Sequence, residues 1–500
     1  MKPIKNHSIE IEVAPISVSA FLNESLIETI LISKPISHYD IILLPGFVQW
    51  DSTSLEEKFS VRIRKGPEFA SDLPALLKNI EGVELSNTIP ANKLIETSGE
   101  TLYNQIVREQ YDNAKENLGN HTFYINKDKS EVMVGRNLPP PIIAEIVNCT
   151  EKSNKSIIRK AKHYIDSGAD IIDIGCVSNK PNPLRVKQII QILRENFNTL
   201  VSVDSMDTSE ILAAVDMEID MILSFDIDNY KEFIDIPKEI PIVILPTNIK
   251  EEIFPKNPQT RIENLQYLTK KLNTHGFTKL IADPLLETPI APGICNSLEA
   301  YFLYKKLPLE HQIPLFFGIS NVVELMDIDS VGINGLLASI AVELDIGILF
   351  TVEHSPKLFG GVSELKDCVK LSYLSKYKNT PPINQGLSLF KAKGKTKQKV
   401  PQIEDHNAII VDKLIPDYRP DDKGYFRIFV DQFQKKIYVL FYSNKENLLH
   451  TFIGENAEAL SKKIIKQEIT DNLYHLNYLG RELKKAEICI LLGKPYIQDE

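Results

Sequence analysis

The chain has 500 residues, of which 43% are hydrophobic and 25% charged, and its formal net charge is −10. This length exceeds what one hydrophobic core usually serves and predicts two or three domains. The acidic balance argues against nucleic acid as a partner, and no apolar window is long enough to predict a membrane span. Five scattered cysteines without CxxC spacing indicate neither a disulfide framework nor a zinc ribbon, and without a signal-peptide pattern we expect a cytoplasmic protein.

The first segment, residues 1–135, mixes short strand and helix patterns and predicts a small α/β, Rossmann-like domain. We expect strands over 8–13 and 40–44, and helices over 24–31 and 73–80. No GxGxxG fingerprint follows a strand, so the sequence does not indicate dinucleotide binding in this domain.

Residues 136–378 alternate apolar runs with amphipathic stretches, and this pattern predicts a (β/α)₈ TIM barrel. An open, doubly wound sheet is the alternative. The predicted strands lie near 142–149, 169–175, 200–204, 219–226, 241–246, 278–283, 314–318 and 347–351. The predicted helices lie near 156–167, 184–196, 209–217, 260–275, 298–306, 332–343 and 362–375.

Residues 379–404 form a Lys/Pro-rich stretch with little apolar periodicity, which predicts a solvated linker. Gly394-Lys395-Thr396 resembles the end of a phosphate-binding P-loop. The position that needs the first glycine of that motif is Leu389, and no strand precedes it, so we reject this interpretation.

The last segment, residues 405–500, predicts a small α+β domain. Two strands are expected over 424–430 and 436–442. Two helices are expected over 456–466 and 471–492, the second carrying His475.

Polar side chains follow many of the predicted barrel strands, where such barrels build their active sites. Asp173, Asp204 and Asp283 each lie at the end of an apolar run. Any one of these residues could instead cap the following helix, but several on successive strand ends favour a site. The candidate site residues are Asn148, Asp173, Ser178, Lys180, Asp204, Asp226, Asp283, Ser320, Asn321 and His354.

A heteroaromatic ring with a 2-amino-4-oxo pyrimidine edge offers two parallel N–H donors, which one carboxylate accepts as a pair. Asp204 and Asp283 suit this task because they emerge from the third and sixth predicted strands.

Five segments carry a family resemblance. EIVNCT at 145–150 resembles a strand ending in Asn-Val-Thr, GADIIDIG at 168–175 is nearly identical to the family motif, and SNKP at 178–181 stands where the family has Ser-Thr-Arg-Pro. SVDS at 202–205 and ADP at 282–284 match Ser-Ile-Asp-Thr and Asp-Pro-Gly. The region is similar to the pterin-binding barrel of dihydropteroate synthases and of corrinoid-linked methyltetrahydropterin methyltransferases.

The whole chain resembles the archaeal dihydropteroate synthase-related proteins of organisms that use tetrahydromethanopterin. Residues 334–344 are typical of that family, and residues 475–487 match its last domain. That domain is distantly similar to a corrinoid-carrying methyltransferase subunit.

The resemblance implies roles for individual residues. Asn148 would serve a diphosphate and its Mg²⁺, with Lys180 beside it, while Asp204 and Asp283 would hold the pterin. Asp173 would mainly shape the floor of the pocket. The position of strand ends in such barrels adds Ser178, Asp226 and Ser320 as further substrate-binding candidates.

Two departures from the synthase pattern leave the reaction open. The lysine of the synthase motif Ser-Arg-Lys is absent from Ser320-Asn321-Val322, which resembles the methyltransferase sequence, in which the asparagine contacts the pterin near N5. The terminal Arg-Val-His is also absent, which leaves His354 and Lys357 as candidate anion binders.

Three functions therefore remain open. The first is a synthase that joins a hydroxymethyl-dihydropterin diphosphate to an arylamine in folate or tetrahydromethanopterin biosynthesis. The second is a methyl-tetrahydropterin methyltransferase or carrier, with His475 as ligand to a corrinoid. The third is an inactive pterin-binding protein; for all three a homodimer is left open.

Overall fold

The computed structural model describes residues 8–16, 19–68, 70–78, 80, 84–94, 99–383, 385–387, 389 and 420–499. Most of the predicted linker, with Gly394-Lys395-Thr396, and the start of the predicted C-terminal domain lie outside the described residues. The chain divides into two compact units, Met1–Ile106 with Leu374–Leu387 and Val107–Tyr373 with Ser388–Glu500.

The first unit contains a pair of short parallel strands, β1 (Ile42–Leu44) and β2 (Ile63–Lys65). Its helices are α1 (Glu24–Ile32), α2 (Thr53–Phe59), α3 (Leu73–Lys78) and α4 (Ala91–Leu94), and α5 (Gly99–Lys115) begins there. The expected strand near 40–44 and both expected helices are confirmed. The expected strand over 8–13 is wrong, because this segment is irregular and its apolar side chains are exposed.

A short antiparallel hairpin precedes the barrel, formed by β3 (Thr122–Tyr124) and β4 (Met133–Gly135). It covers the amino ends of the barrel strands: a Cβ on Gly347 would lie 2.9 Å from Val134 Cγ1, and Lys129 forms a 2.7 Å ion pair with Asp220. This end of the barrel is therefore closed by the chain's own residues.

Eight parallel strands form the barrel, and all eight predicted strands are confirmed. They are β5 (Ile142–Ile146), β6 (Ile171–Gly175), β7 (Leu200–Asp204), β8 (Met221–Phe225), β9 (Ile242–Ile244), β10 (Leu280–Ala282), β11 (Phe316–Gly318) and β12 (Ile348–Val352).

The strand order is β10-β9-β8-β7-β6-β5-β12-β11, and a parallel bridge between Ala282 and Leu315 joins the two ends. The Ala282 N–H also donates to the Pro314 carbonyl at 2.8 Å. This closure excludes the open doubly wound sheet. The strands are nearly continuous apolar runs because a parallel strand inside a barrel is buried on both faces.

Helices connect the barrel strands where the amphipathic pattern predicts them. The predicted helices are α6 (Asn154–Asp166), α7 (Pro183–Asn196), α8 (Thr208–Asp216), α9 (Pro258–Thr274), α10 (Ile294–Lys305), α12 (Ser330–Glu343) and α13 (Gly361–Lys378), the last of which follows β12. A short helix that was not predicted, α11 (Ser320–Val323), precedes α12. Side-chain caps start several of them: Ser153 accepts the Ser156 N–H, and Asp207 accepts the N–H groups of Ser209 and Glu210. The β8–β9 connection instead contains a 3₁₀ helix, Asn229–Phe233.

The C-terminal part is an antiparallel sheet of β13 (Tyr425–Asp431), β14 (Lys436–Tyr442) and β15 (Leu448–Gly454), with α14 (Ala457–Lys466) and α15 (Leu473–Leu492). Its core joins the inward residues of β13 and β14 to apolar residues of both helices. The small α+β fold is confirmed, with one strand more than predicted, since β15 is an edge strand with mostly exposed side chains.

Candidate functional site

Three carboxylates from neighbouring strands meet at the carboxyl end of the barrel. Glu145 lies on β5, Asp173 on β6 and Asp204 at the end of β7, and one oxygen from each lies within 4.8 Å of the others. Strand register causes this meeting, because Glu145 pairs with Asp173, and Gly175 pairs with Asp204. Two of these acids were candidate residues in the sequence; Glu145 was not.

Asp173 is the most deeply buried of the three, with no exposed surface. The Ser202 hydroxyl donates to its Oδ1 at 2.5 Å, whereas its buried Oδ2 accepts no hydrogen bond from the residues that the structure describes. Burial, followed by the charges of Asp204 and Glu145, raises the pKa of Asp173 well above its usual range.

The side chain of Glu145 packs against Gly175 and points toward the barrel mouth. A Cβ on Gly175 would lie 2.0 Å from Glu145 Oε1, so a larger residue there would push this carboxylate aside. Burial, then Asp204 and Glu324, raise the pKa of Glu145 to about 8. Burial raises the pKa of Asp204 to about 6.

Asp283 stands apart from these three, directly after β10. Its Oδ1 accepts the Leu285 N–H at 2.8 Å and the Tyr301 hydroxyl at 3.1 Å. Burial raises the pKa of this carboxyl to about 7, although these two donors and Arg261 act in the opposite direction. A carboxylate in this position is available to a ligand that brings further N–H donors.

The loop after β10 is fixed by the buried guanidinium of Arg261. It donates to the carbonyls of Pro284 and Leu285 at 3.1 and 2.9 Å and pairs with Glu287 at 2.6 Å. The backbone around Asp283 is therefore held from α9.

Asn321 lies beside the same loop. Its Nδ2 donates to the Leu286 carbonyl at 3.0 Å, while the residue remains exposed. Ser320 next to it is buried. The structure thus brings Asn321 to the Asp283 side of the mouth.

Asp226 accepts hydrogen bonds from backbone N–H groups of two loops. Its Oδ1 accepts the N–H groups of Asp228 and Asn229 at 2.9 Å each, and its Oδ2 accepts the Ile249 N–H at 2.7 Å. These bonds occupy both oxygens and tie the loops after β8 and β9 together.

The candidate anion-binding residues lie on exposed loops. Asn148 follows β5 in a left-handed conformation with φ 51° and ψ 42°. Lys180 forms an exposed ion pair with Glu151 at 3.0 Å, which brings the loops after β5 and β6 together, and Ser178 is exposed on the second of these loops.

The loop after β12 presents His354 to solvent, whereas its neighbour Glu353 is buried. Glu353 contacts His163 Nε2 at 2.8 Å and accepts the Val362 N–H at 3.0 Å, so it faces the surrounding helices. Lys357 donates to the Met326 carbonyl at 2.6 Å and holds the loop after β11.

Two family models match the chain. A model described as pterin binding enzyme matches residues 146–338, and one described as PterinBD-DUF4346 matches residues 420–499. An uncharacterised protein of Methanocaldococcus jannaschii is 33% identical over 98% of this chain and 94% of its own length. The chain belongs to the family of this archaeal protein. The predicted resemblance to archaeal dihydropteroate synthase-related proteins is confirmed.

Solved structures similar to this family member include dihydropteroate synthases. That of Yersinia pestis is 16% identical, with a TM-score of 0.39, over 50% of this chain and 97% of its own. A Plasmodium falciparum HPPK-DHPS structure is 19% identical, with a TM-score of 0.40, over 56% of this chain and 55% of its own. Among the described residues, no helix is both long and apolar enough to cross a membrane.

Sequence reasoning missed Glu145 and Glu324 at the mouth. The sequence could have indicated Glu145, because it is an acidic residue inside an otherwise apolar strand, as Asp173 is. No sequence pattern indicates Glu324, because it follows the short helix α11 on the surface loop after β11.

Proposed function

We propose that this family member binds a reduced pterin in the barrel mouth and joins a hydroxymethyl-dihydropterin diphosphate to an arylamine. The observation that supports this most is a pair of carboxylates, Asp204 and Asp283, at separate strand ends of a barrel that a pterin-binding family model matches. Each can accept the paired N–H donors of a 2-amino-4-oxo pyrimidine edge.

Burial makes such an interaction selective. Asp283 is 7% exposed and held by Leu285 and Tyr301, so little water competes for its remaining acceptor positions. A ring without matching donors would leave a buried carboxylate unpaired, which costs about 1–3 kcal/mol or more.

In the reaction, the arylamine nitrogen attacks the exocyclic methylene of the pterin. The C–N bond forms as the C–O bond to the diphosphate breaks, pyrophosphate departs, and the nitrogen loses one proton to solvent. Lys180 and Asn148 are the proposed diphosphate contacts, and Lys180 would exchange its surface partner Glu151 for a phosphoryl oxygen.

Mg²⁺ is the proposed metal of this step, carried with the diphosphate. The exposed Asn148 amide offers a neutral oxygen of the kind Mg²⁺ accepts beside phosphate oxygens. When bound, the ion would neutralise charge that develops on the leaving group.

The experiment is incubation of the purified chain with both substrates and Mg²⁺, followed by measurement of released pyrophosphate. We expect release that depends on the arylamine and is lost in Asp283→Asn. Asn148→Ala should weaken diphosphate binding and spare the unphosphorylated pterin. Tight pterin binding without pyrophosphate release would contradict the synthase reaction.

A methyltransferase or carrier function is the second candidate, favoured by Asn321 and His475. His475 Nδ1 lies 2.7 Å from Asp421 Oδ2, which also accepts the Thr470 hydroxyl. Because a carboxylate only accepts, Nδ1 must donate, and in the neutral ring this leaves on Nε2 the lone pair that a corrinoid cobalt would need. Asn321 would hold the methylated pterin together with Asp204 and Asp283.

This second candidate has its own test. Addition of cobalamin to the full chain should change the visible spectrum, and His475→Ala should abolish the change. An identical spectrum in that variant would remove the ligand assignment. An inactive pterin-binding protein would give pterin binding with neither pyrophosphate release nor a spectral change.

A further inference from the structure

The three acidic side chains at the mouth offer more acceptor oxygens than one pterin edge can use. That edge presents its paired N–H groups to one carboxylate, yet Glu145, Asp173 and Asp204 bring three together. None of the three forms an ion pair with a lysine or arginine within the part of the chain that the structure describes.

We propose that Glu145, Asp173 and Asp204 hold one hard divalent cation of the Mg²⁺, Mn²⁺ or Ca²⁺ class on the floor of the barrel mouth. This site uses different residues from the diphosphate-linked Mg²⁺ assigned to Asn148. It lies in the proposed pterin site but does not depend on the proposed reaction, since cation binding can be measured without pterin.

The spacing of the three oxygens fits a single ion. They lie within 4.8 Å of one another. Ligands on opposite sides of Mg²⁺ are about 4.2 Å apart and those around Ca²⁺ about 4.8 Å, from metal–oxygen distances of roughly 2.1 and 2.4 Å. The two spans are comparable, so one ion among the carboxylates can contact all three after small movements of their side chains.

A second observation concerns Asp173 alone. This residue has no exposed surface, and its Oδ1 is taken by Ser202, but Oδ2 accepts nothing from the described residues. A buried oxygen without a partner is costly, so its position beside two other carboxylates indicates that a bound group completes it.

The local backbone is shaped to bring Glu145 into this group. Gly175 pairs with Asp204 across the sheet, and a Cβ at Gly175 would collide with Glu145 Oε1 at 2.0 Å. The glycine therefore allows the Glu145 carboxylate to turn inward beside Asp204.

The ligand type selects the class of metal. All three donors are carboxylate oxygens, which suit Mg²⁺, Mn²⁺ and Ca²⁺ better than metals that prefer imidazole or thiolate. Bound here, the cation would fix the orientation of Asp204 by one oxygen. The other oxygen would accept a single N–H of the pterin ring, with the paired N–H donors at Asp283.

The test is titration of the full, EDTA-treated chain with Mn²⁺ in the absence of pterin, followed by calorimetry and electron paramagnetic resonance. We expect one Mn²⁺ per chain, displaced by Mg²⁺ or Ca²⁺. Glu145→Gln and Asp173→Asn should each weaken Mn²⁺ binding at least tenfold. Glu151→Gln, an exposed acid at the same end of the barrel, is the matched control and should leave it unchanged.

Glu145→Gln keeps the test decisive if Asp173→Asn does not fold, because Glu145 is less buried and glutamine has the same shape. Absence of Mn²⁺ binding to the wild-type chain at millimolar concentration, or unchanged binding in Glu145→Gln, would overturn the proposal. Asn148→Ala should bind Mn²⁺ normally, and equal loss in that variant would also overturn it. Mn²⁺ binding without pyrophosphate release would contradict the synthase reaction alone.

Discussion

At the residue scale, the buried carboxyl of Asp283 makes stability depend on pH. Its pKa is about 7 in the folded chain against a usual 3.8, because burial penalises the charged form. The folded state therefore holds a proton that the unfolded state releases above pH 4. The stability that this bound proton contributes is fully present below pH 4 and is lost as pH rises through 7.

We predict that Asp283→Asn removes this fall in stability between pH 4 and 7. The asparagine Oδ1 can still accept from Leu285 and Tyr301, but it does not ionise. In urea unfolding between pH 4 and 7, the variant should gain stability relative to wild type by up to about 1.4 kcal/mol per pH unit. Parallel pH profiles of the two proteins would contradict the buried-carboxyl account.

Residue-scale sequence patterns singled out two members of the carboxylate cluster. Asp173 and Asp204 were found because each interrupts an apolar run at a predicted strand end. The same pattern selects Asn148 and not Glu145, three residues earlier. A strand-end pattern does not determine which side chain turns toward the barrel axis. The partners of Asp226 are backbone N–H groups, which sequence patterns do not place.

At the element scale, α9 supports the loop that carries Asp283. Arg261 is 1% exposed, and its guanidinium donates to the carbonyls of Pro284 and Leu285 and pairs with Glu287. Removal of this cation would leave those oxygens without donors in a buried place.

We predict that Arg261→Met destabilises the chain by about 3–5 kcal/mol, the usual cost of breaking a buried pair, and weakens pterin binding. Lys187→Met is the control, since it breaks an exposed pair with Asp216 and should cost under about 1 kcal/mol. Urea unfolding measures both, and similar losses in the two variants would contradict the proposed support of the loop.

The elements that are best predicted from sequence are the strands that are buried on both faces. The barrel strands were found because their apolar runs are almost uninterrupted. β15 was missed because its exposed edge position removes the alternation that marks a strand. The segment over 8–13 has that alternation, but Ile11 and Val13 are 70% and 84% exposed, so the pattern reflects no packed face.

At the scale of the whole molecule, Phe433 connects the C-terminal sheet to the barrel. Its ring lies 4.9 Å from the Arg159 guanidinium carbon, and its centroid lies 5.1 Å from those of His163 and Phe359. Arg159 and His163 belong to α6, so one aromatic side chain contacts two parts of the barrel surface.

We predict that Phe433→Ala destabilises the chain by roughly 1–3 kcal/mol, through lost ring–ring and cation–π contacts. Phe429→Ala is the matched control, because Phe429 is 51% exposed on the neighbouring strand and should cost less than about 1 kcal/mol. Thermal unfolding compares the two, and equal melting temperatures would contradict this role of Phe433.

The measurement that tests the central proposal most directly is calorimetric titration of the full chain with 6-hydroxymethyl-7,8-dihydropterin. We predict one bound pterin per chain, loss of binding in Asp204→Asn, and unchanged binding in Glu151→Gln. The asparagine places an N–H donor where the ring needs an acceptor, whereas Glu151 lies on an exposed loop with Lys180. Absence of binding to the wild-type chain, or equal affinity in Asp204→Asn, would contradict a pterin site in the barrel mouth.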